Sequence, residues 1–326
     1  MTLYLVIPCY NEEAVLPETS RRLAEKLTAL TAAGKISADS RVLFVDDGSK
    51  DRTWALISEC HRADRRFGGV KLSRNRGHQN ALLAGLMTAK ERCDAAISLD
   101  ADLQDDLDAI DRMVDAFHEG YDIVYGVRSS RETDTFFKRT TAQGFYKFMK
   151  LMGVDIVYNH ADFRLMSRRA LEGLSGYEEV NLFLRGIVPL IGYPSTTVEY
   201  ERHERFAGES KYPLKKMLAF AFDGITSFSV KPIRWVTGLG FLIFLASILA
   251  LLYILVVKLL GFTVAGWAAT TASIWMLGGL QLLCLGIIGE YVGKIYTEVK
   301  ARPRYFIEAL ELTPEEPEET AENQAE

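Results

Sequence analysis

Two long stretches near the carboxyl end of the chain contain no charged residue. Val236–Val257 and Trp267–Ile288 each run for 22 residues without Asp, Glu, Lys or Arg. A helix of about 20 apolar residues is long enough to cross the hydrocarbon core of a bilayer. We therefore predict two transmembrane helices within residues 233–290.

Basic residues flank this pair of stretches. Lys231 and Arg234 precede the first, several basic residues follow the second, and the connecting loop has only Lys258. Because basic residues accumulate on the cytoplasmic side of membrane helices, we expect a hairpin with both chain termini and the amino-terminal domain in the cytoplasm. The expected location is thus the cytoplasmic (inner) membrane, crossed twice. The Gly278-Gly279 pair would permit close helix contact, which suits a membrane homo-oligomer.

The segments on either side of the hairpin differ in character. Pro213–Phe228 has apolar residues at helical spacing with lysines among them, and it precedes the first apolar stretch. This pattern favours an amphipathic helix on the membrane surface, within a juxtamembrane region of residues 206–232. Residues 291–326 begin as a basic segment, but Glu308–Glu326 is acidic, contains prolines and lacks a hydrophobic pattern. We expect that tail to be disordered.

The overall charge and the cysteine spacing argue against several classes of protein. A net charge of −5 gives no indication of a nucleic-acid partner. The four cysteines lack C-x-x-C spacing, which fits a reducing compartment and argues against a disulfide scaffold or a zinc site. The apolar run Met1–Pro8 is too short for a signal peptide, so residues 1–205 are expected to stay in the cytosol.

The first 205 residues alternate short apolar runs with helical patterns. An edge strand is expected over Ser195–Tyr200. No G-x-G-x-x-G follows the first run and no G-x-x-x-x-G-K-[ST] occurs, so neither a dinucleotide-binding fold nor a P-loop is supported. Alternating strands and helices predict an α/β domain with a mainly parallel sheet and right-handed crossovers. The other predicted strands are Leu3–Pro8, Arg41–Val45, Val70–Leu72, Ala95–Leu99 and Ile123–Val127.

Acidic residues follow three of these strands. Asp46 and Asp47 end the second, Asp100 and Asp102 end the fourth, and Glu12 lies just beyond the first. The carboxyl ends of parallel strands form the ligand-binding edge of such sheets, and alternate acids leaving one strand can converge on a hard divalent cation. We interpret the D-x-D pair as a site for a metal that bridges a diphosphate. The other acids would accept hydrogen bonds from a nucleotide base and ribose.

The residues alone leave alternatives open. A single D-x-D is also compatible with a solvated acidic loop in which a following aspartate caps the next helix. Arg74 and Arg76 are compatible either with offsetting phosphate charge or with an ordinary solvated surface. For His78 and His160 we expect structural roles.

Six short motifs occur along the chain in a fixed order: Val6–Glu13, Val45–Asp51, Ser73–Gly77, Asp100–Asp105, Asp162–Met166 and Arg205–Lys211. The first four resemble the motifs of the inverting GT-A glycosyltransferases of family 2. With the last two and the paired apolar stretches, the chain resembles the polyprenyl-phosphate glycosyltransferases, the group of bactoprenol glucosyltransferase and dolichol-phosphate mannose synthase. The resemblance covers about Leu3 to Arg304 and implies a GT-A nucleotide-sugar-binding domain over residues 1–205.

The resemblance also implies roles for individual residues. Asp162 corresponds to the catalytic residue on the acceptor side, acting as a base or orienting the acceptor, and we expect its loss to damage turnover less than loss of Asp102. The residues implied to line the base and ribose pocket are Pro8, Tyr10, Glu12 and Asp46, with Asp47 and Asp100 beside them. Those implied to hold Mg²⁺ or Mn²⁺ on the donor diphosphate are Asp100, Asp102 and Gln104. The candidates for gripping phosphates are Arg128, Arg139, Arg164, Arg202, Arg205 and Lys211.

The reaction that the resemblance implies is inverting transfer of a sugar from a nucleotide-sugar to a polyprenyl phosphate in the bilayer. UDP-glucose and undecaprenyl phosphate are favoured, giving a lipid-linked sugar for modification of cell-envelope glycans. A lipid phosphate has a second pKa of about 6 and is anionic near neutral pH, so no strong base is needed. The alternatives are transfer of N-acetylglucosamine, amino-arabinose or mannose, a processive polysaccharide synthase, and an inactive membrane-tethered binding protein.

Overall fold

The computed structural model describes residues 1–129, 160–180, 182–201, 229–260 and 266–313. These residues form two compact units, one from those within 1–201 and 303–313 and the other from those within 229–302. Several predictions lie outside the described residues: those for Arg139, Arg202, Arg205, Lys211, the amphipathic segment 213–228 and residues 314–326.

The first unit is built on a sheet whose strands lie in the order β7-β5-β6-β4-β1-β2-β3-β8. The strands are β1 Leu3–Cys9, β2 Arg41–Asp46, β3 Phe67–Leu72, β4 Ala95–Ser98, β5 Ile123–Arg128, β6 His160–Ser167, β7 Ser195–Tyr200 and β8 Ile307–Glu311. The helices of this unit are α1 Leu16–Ala32, α2 Thr53–Ala63, α3 His78–Lys90, α4 Ala109–His118, α5 Arg168–Ser175 and α6 Leu184–Leu190.

Most strand pairs in the sheet are parallel. β1 pairs in parallel with β2 and β4, β2 with β3, and β5 with β7. β6 lies antiparallel between β4 and β5, and β8 lies antiparallel to β3. The predicted mainly parallel α/β sheet is confirmed, and the carboxyl ends of β1, β2 and β4 share one edge.

Helix α3 packs directly on the centre of the sheet. A Cβ atom added at Gly85 would lie 2.6 Å from Cγ2 of Val45 and would also overlap the side chain of Val6. Any larger residue at position 85 would therefore push α3 away from β1 and β2. Because a crossover helix runs back along the strands it follows, its first residues, His78 and Gln79, lie at the carboxyl edge of the sheet.

The carboxyl-terminal strand β8 contradicts the expectation of disorder from Glu308 onward. Its carboxylates have partners in the sheet unit, since Lys71 Nζ lies 2.7 Å from Oε1 of Glu308 and Ser58 Oγ donates to Oε1 of Glu311 at 2.9 Å. The edge of β3 that faces away from β2 has backbone N–H and C=O groups that can pair with this segment. Paired acids at a sheet edge are thus compatible with a strand, although their composition alone indicates disorder.

The second unit contains helices α7 Lys231–Leu259 and α8 Trp267–Val299. Within them, Lys231–Ala250 and Met276–Val299 are long and apolar enough to cross a membrane. Both helices extend beyond the charge-free stretches, α7 at both ends and α8 past Ile288. The hydroxyl of Tyr291 donates to the carbonyl of Ser229 at 2.6 Å, linking α8 to the segment before α7.

Candidate active site

Strand register brings the two main carboxylate groups of the candidate site together. In the antiparallel β4–β6 pair, Ser98 lies opposite Arg164, so the chain positions beyond the end of β4 face those before it on β6. The hydroxyl of Ser98 donates to the carbonyl oxygen of Asp162. Asp162 therefore enters the carboxyl edge of the sheet beside the turn that carries Asp100 and Asp102.

The D-x-D turn is compact and crowded with negative charge. Oδ1 of Asp102 accepts the backbone N–H of Gln104 at 3.2 Å, and Leu103 adopts a positive φ of 55° to close the turn. The side chain of Asp100 is 38% exposed. Burial of its carboxyl, together with the charges of Asp162 and Asp102, raises the pKa of Asp100 against the opposing effect of His78. A cation at this turn would relieve that repulsion.

Asp162 has the opposite setting, because cationic and amide donors surround it. Its side chain is only 8% exposed. Arg164 Nη2 donates to its Oδ1 at 2.5 Å, and Arg185 donates from Nη2 to Oδ2 at 3.0 Å and from Nε to Oδ1 at 3.3 Å. Burial by itself would raise the pKa of Asp162, but the nearby imidazole of His78 and the charges of Arg185 and Arg164 hold it well below the usual range.

Helix α3 supplies two further contacts to Asp162. Nε2 of His78 lies 3.6 Å from Oδ2 of Asp162 and 3.7 Å from Oδ1 of Asp100. Gln79 Nε2 donates to Oδ2 of Asp162 at 3.3 Å, while its Oε1 accepts the backbone N–H of Leu184 at 3.0 Å. His78, for which a purely structural role was expected, therefore bridges the two carboxylates, with 42% of its side chain exposed.

Sequence reasoning missed His78, Gln79 and Arg185 as members of this site. His78 and Gln79 lie 84 and 83 residues before Asp162, Arg185 lies 23 residues after it, and none belongs to the Asp162–Met166 motif. One signal was available, because His78 and Gln79 directly follow the Ser73–Gly77 motif at the start of a helix. No comparable signal in the sequence marked Arg185.

The structure corrects the expected role of Arg164. Its side chain is 1% exposed, and its guanidinium contacts Asp162 and, through Nη1 at 3.3 Å, the carbonyl oxygen of Leu184. A guanidinium that is fully enclosed by protein groups cannot grip a substrate phosphate without the surrounding chain opening. Arg164 instead keeps Asp162 ionised and fixed in place.

The two acids at the carboxyl end of β2 differ in their hydrogen bonds. Both oxygens of Asp47 accept backbone N–H groups, from Arg76 at 2.6 Å and from Gly77 at 2.9 Å. Asp47 therefore supports the loop of residues 73–77, and its expected contact with the nucleotide stays a prediction. Asp46 is also buried, and Oδ1 accepts the N–H of Ser49 at 3.1 Å, but Oδ2 has no hydrogen-bond partner within the described part of the chain. Burial raises the pKa of Asp46.

The loops after β1 and β2 form one hydrogen-bonded surface. Asn11, at φ 55°, accepts the N–H of Lys50 through Oδ1 at 2.9 Å, and the N–H of Glu12 donates to Oγ1 of Thr53 at 2.9 Å. Pro8 is buried in β1, whereas the side chain of Tyr10 is exposed. The residues predicted to contact the nucleotide therefore meet at the carboxyl ends of neighbouring strands, with the ring of Tyr10 accessible.

Arg128, at the end of β5, belongs to a buried polar network. Its Nε donates to the hydroxyl of Tyr200 at 3.2 Å, and that hydroxyl donates to Oδ1 of Asp105 at 2.6 Å. Burial and the neighbouring charge of Asp100 raise the pKa of Asp105 to about 6. The network ties the D-x-D turn to β5 and β7, and it holds Arg128 near the turn, where a phosphate contact was predicted.

The described residues do not contain a complete protein-only metal site. Among them, no group of three or more His, Cys, Asp and Glu side chains is arranged to hold an ion. Asp100 and Asp102 therefore offer two carboxylates, and other oxygen ligands would have to come from a substrate, water or the Gln104 amide.

Comparison with known proteins assigns the family. Residues 4–175, more than half of the chain, match Glycosyl transferase family 2. The uncharacterized glycosyltransferase YkoT of Bacillus subtilis (strain 168) is 59% identical over 306 residues, covering 94% of this chain and 91% of its own. Bactoprenol glucosyl transferase of Shigella phage SfX is 39% identical over 317 residues, covering 95% of this chain and 99% of its own.

Among solved structures, glucosyl-3-phosphoglycerate synthase from Mycobacterium tuberculosis, in complex with Mn²⁺, UDP-glucose and phosphoglyceric acid, gives a TM-score of 0.43. It is 17% identical, over 69% of this chain and 77% of its own. The family match and the full-length relatives agree with the α/β GT-A architecture expected from the sequence. This chain is a glycosyltransferase and belongs to glycosyl transferase family 2.

Proposed function

We propose that this glycosyltransferase transfers glucose, with inversion, from UDP-glucose to a membrane polyprenyl phosphate, with undecaprenyl phosphate as the favoured acceptor. The observation that carries the proposal is the similarity to bactoprenol glucosyl transferase over 95% of the chain, which includes both apolar helices. A soluble sugar acceptor would not require those helices. The product would be a lipid-linked sugar available for modification of cell-envelope glycans.

A divalent cation fits the D-x-D turn. Mg²⁺ in phosphate-transfer sites is commonly held by one or two carboxylates together with substrate phosphates, which matches the two carboxylates of Asp100 and Asp102. Burial and the charges of Asp162 and Asp102 raise the pKa of Asp100, and a cation would offset the repulsion among these carboxylates. When bound, Mg²⁺ or Mn²⁺ would stabilise the charge that develops on the departing diphosphate. The amide oxygen of Gln104 is a further candidate ligand.

Asp46 and Tyr10 would hold the nucleotide. The unpartnered Oδ2 of Asp46 is a buried acceptor, which costs free energy unless a donor reaches it. A base N–H or a ribose hydroxyl would supply that donor, and the accessible ring of Tyr10 would stack on the base. Glu12 and Pro8 complete the proposed pocket.

Asp162 would orient the acceptor rather than act as a strong base. A carboxylate whose pKa lies well below its usual range has little tendency to take a proton near neutral pH. The phosphate of the acceptor is already anionic, so the reaction needs its oxygen held in line with the anomeric carbon. Arg185, whose side chain is 32% exposed, is the cation on Asp162 best placed to reach a phosphate.

The two apolar helices would form a membrane hairpin beside the acceptor headgroup. The chain leaves the sheet unit after β7, and it returns to the same unit at β8 after α8. Both flanks of the hairpin would therefore lie on one side of the membrane, which agrees with the cytoplasmic orientation expected from the basic residues. A long prenyl chain stays in the bilayer, so such an anchor brings the enzyme to its substrate.

The proposal is tested by transfer of label from a panel of radiolabelled nucleotide-sugars to undecaprenyl phosphate, using the purified full-length protein in detergent. The panel contains UDP-glucose, UDP-N-acetylglucosamine, GDP-mannose and a UDP-linked amino-arabinose. We expect one labelled lipid product, a β-linked glucosyl phosphate, from UDP-glucose. If the label is transferred from a different donor, the sugar of that donor replaces glucose in the proposed reaction. Long glycan products would favour a processive synthase. The absence of a labelled lipid with every donor would contradict transfer of a sugar to the lipid.

A further inference from the structure

The segment that follows the second apolar helix forms the edge of the catalytic sheet. Within this C-terminal segment (Pro303–Thr313), β8 pairs antiparallel with β3, with Val70 opposite Leu310 and Lys71 opposite Ala309. A Cβ atom at Gly68 would lie 2.9 Å from Cδ2 of Leu312, so a glycine there admits the segment. Thr313 Oγ1 also donates to the carbonyl of Arg65 at 2.9 Å. The segment is therefore an integral part of the sheet.

The same segment holds the loop that leads into helix α3. The backbone N–H of Ser73 donates to the carbonyl oxygen of Phe306 at 3.0 Å. The guanidinium of Arg76 lies 5.9 Å from the centroid of the Phe306 ring, within the range of a cation–π contact. On its other side the loop is bonded to Asp47. Residues 73–77 are thus held between the second strand and the C-terminal segment.

A second loop is held by a different residue of the segment. The guanidinium of Arg304 donates through Nη2 to the carbonyl oxygen of Tyr177. Tyr177 follows α5, and the chain from there leads into α6. One short segment therefore contacts the two loops that precede α3 and α6.

The helices that follow these loops supply most of the contacts to Asp162. His78 and Gln79 are the first residues of α3, and Arg185 is the second residue of α6. Their contacts to Asp162 span 3.0 to 3.6 Å, so a displacement of either helix by about 1 Å would remove them. Gln79 Oε1 also joins the two helices through the N–H of Leu184.

We propose that the C-terminal segment is a positioning element of the active site, in which Phe306 and Arg304 fix the loops that aim α3 and α6 at Asp162. Because this segment directly follows α8, the chain that anchors the enzyme also completes the acceptor side of its site. The activity part of this inference rests on the proposed function, whereas the structural part does not.

The test compares the double variant Arg304→Ala/Phe306→Ala with the conservative variant Arg304→Lys/Phe306→Tyr. The matched control is a chain that ends at Thr313, which keeps the segment and removes only residues 314–326. Hydrogen exchange is measured for the full-length protein in detergent, and initial rates are measured with donor and acceptor varied separately.

For the alanine variant we expect amide exchange in residues 73–80 and 176–186 to increase about tenfold or more, with β1, β2 and β4 unchanged. We also expect kcat to fall about tenfold while the KM for the nucleotide-sugar changes less than about threefold. The conservative variant should recover most of kcat, and the control should behave as wild type.

Three results would overturn the proposal. The first is unchanged exchange in the two loops, and the second is an unchanged kcat despite faster exchange. The third is a uniform increase of exchange through every strand, because the segment would then stabilise the whole fold and not the two loops in particular. If wild-type protein transfers no sugar to lipid, the proposed function fails, but the exchange measurement still decides whether the segment positions the two loops.

Discussion

The carboxylates of Asp162 and Asp100 lie at the same edge of the sheet in opposite electrostatic settings. Asp162 is almost completely buried and accepts hydrogen bonds from two arginines and a glutamine. Asp100 is partly exposed and adjoins other carboxylates, which help raise its pKa, whereas the pKa of Asp162 is held low. The difference teaches that the protein itself supplies the partners that keep Asp162 ionised, whereas Asp100 lies among other carboxylates. Under the proposed function, Asp162 belongs to the acceptor side of the site, and a cation and a diphosphate would complete the donor side.

The largest effect is expected from Asp102→Asn. If the D-x-D turn holds the cation that stabilises the leaving diphosphate, the variant should lose roughly 10³-fold in kcat. Its melting temperature should equal or exceed that of wild type, because one member of a crowded acidic group has been neutralised. The matched control is Asp108→Asn, at an exposed aspartate six residues further on, which should keep full activity. Substantial turnover by Asp102→Asn would remove the turn from the mechanism.

For Asp162→Asn we expect the loss of folding stability to be more pronounced than the loss of turnover. The substitution leaves the buried guanidinium of Arg164 without its counter-charge, which should cost about 3 kcal/mol in the free energy of unfolding. We expect kcat to fall less than in Asp102→Asn. Adding Arg164→Met should recover part of the stability, because it removes the unpaired charge. A single variant as stable as wild type would contradict this account of the buried pair.

The stability difference between wild type and Asp162→Asn should also depend on pH. The folded pKa of Asp162 is lowered, so its stabilisation is fully present above the unfolded value of about 3.9 and is lost as the pH falls toward the folded value. Melting curves of the two proteins should therefore differ near pH 7 and converge in acid below about pH 4. A difference that grows on acidification would show that Asp162 is not held ionised.

A smaller effect is expected from Arg185→Lys. Lysine keeps the charge but cannot make the two-pronged contact that the guanidinium makes with Asp162. We expect about a tenfold fall in kcat/KM measured against the lipid acceptor, with little change in the KM for the nucleotide-sugar. The control is Arg168→Lys, at a half-exposed arginine paired with Asp94 outside this site. Equal losses against donor and acceptor would argue against an acceptor-side role.

The smallest effect is expected from Asp105→Asn, and only in the pH profile of stability. The folded pKa of Asp105 is raised to about 6, so the stability it contributes is present below about pH 4 and is lost as the pH rises through 6. The variant lacks this titration. Relative to wild type, its melting temperature should therefore rise by roughly 2 °C or more between pH 4.5 and pH 7.5. A constant difference across that range would exclude this titration.

Strand ends were the most predictable part of the site. A parallel sheet gathers the residues that follow its strands, so Asp46, Asp100 and Asp102 meet there as the sequence indicated. Arg164 was predicted to bind a phosphate because the sequence does not indicate whether an arginine is buried or exposed. Arg185 and His78 reach Asp162 only through the packing of two helices, which no local pattern encodes.

Strand β8 shows a second limit of sequence reasoning. Its short run of apolar and acidic residues has a composition typical of disordered segments. It forms a strand because it pairs with the outer edge of β3 and because Lys71 and Ser58 bind its carboxylates. The two apolar helices had the reverse property. Their length and lack of charge are local features, so the sequence indicated them without knowledge of the rest of the fold.

The contrast between the two carboxylate sites is decided by Mn²⁺ binding, measured by electron paramagnetic resonance on wild type, Asp102→Asn and Asp162→Asn, each with and without UDP. Because the described residues supply too few ligands for a metal on their own, we expect tight Mn²⁺ binding by wild type only when UDP is present. Asp162→Asn should bind Mn²⁺ with UDP as wild type does, and Asp102→Asn should not. Binding that is lost in Asp162→Asn but kept in Asp102→Asn would contradict the division of the site into a donor side and an acceptor side.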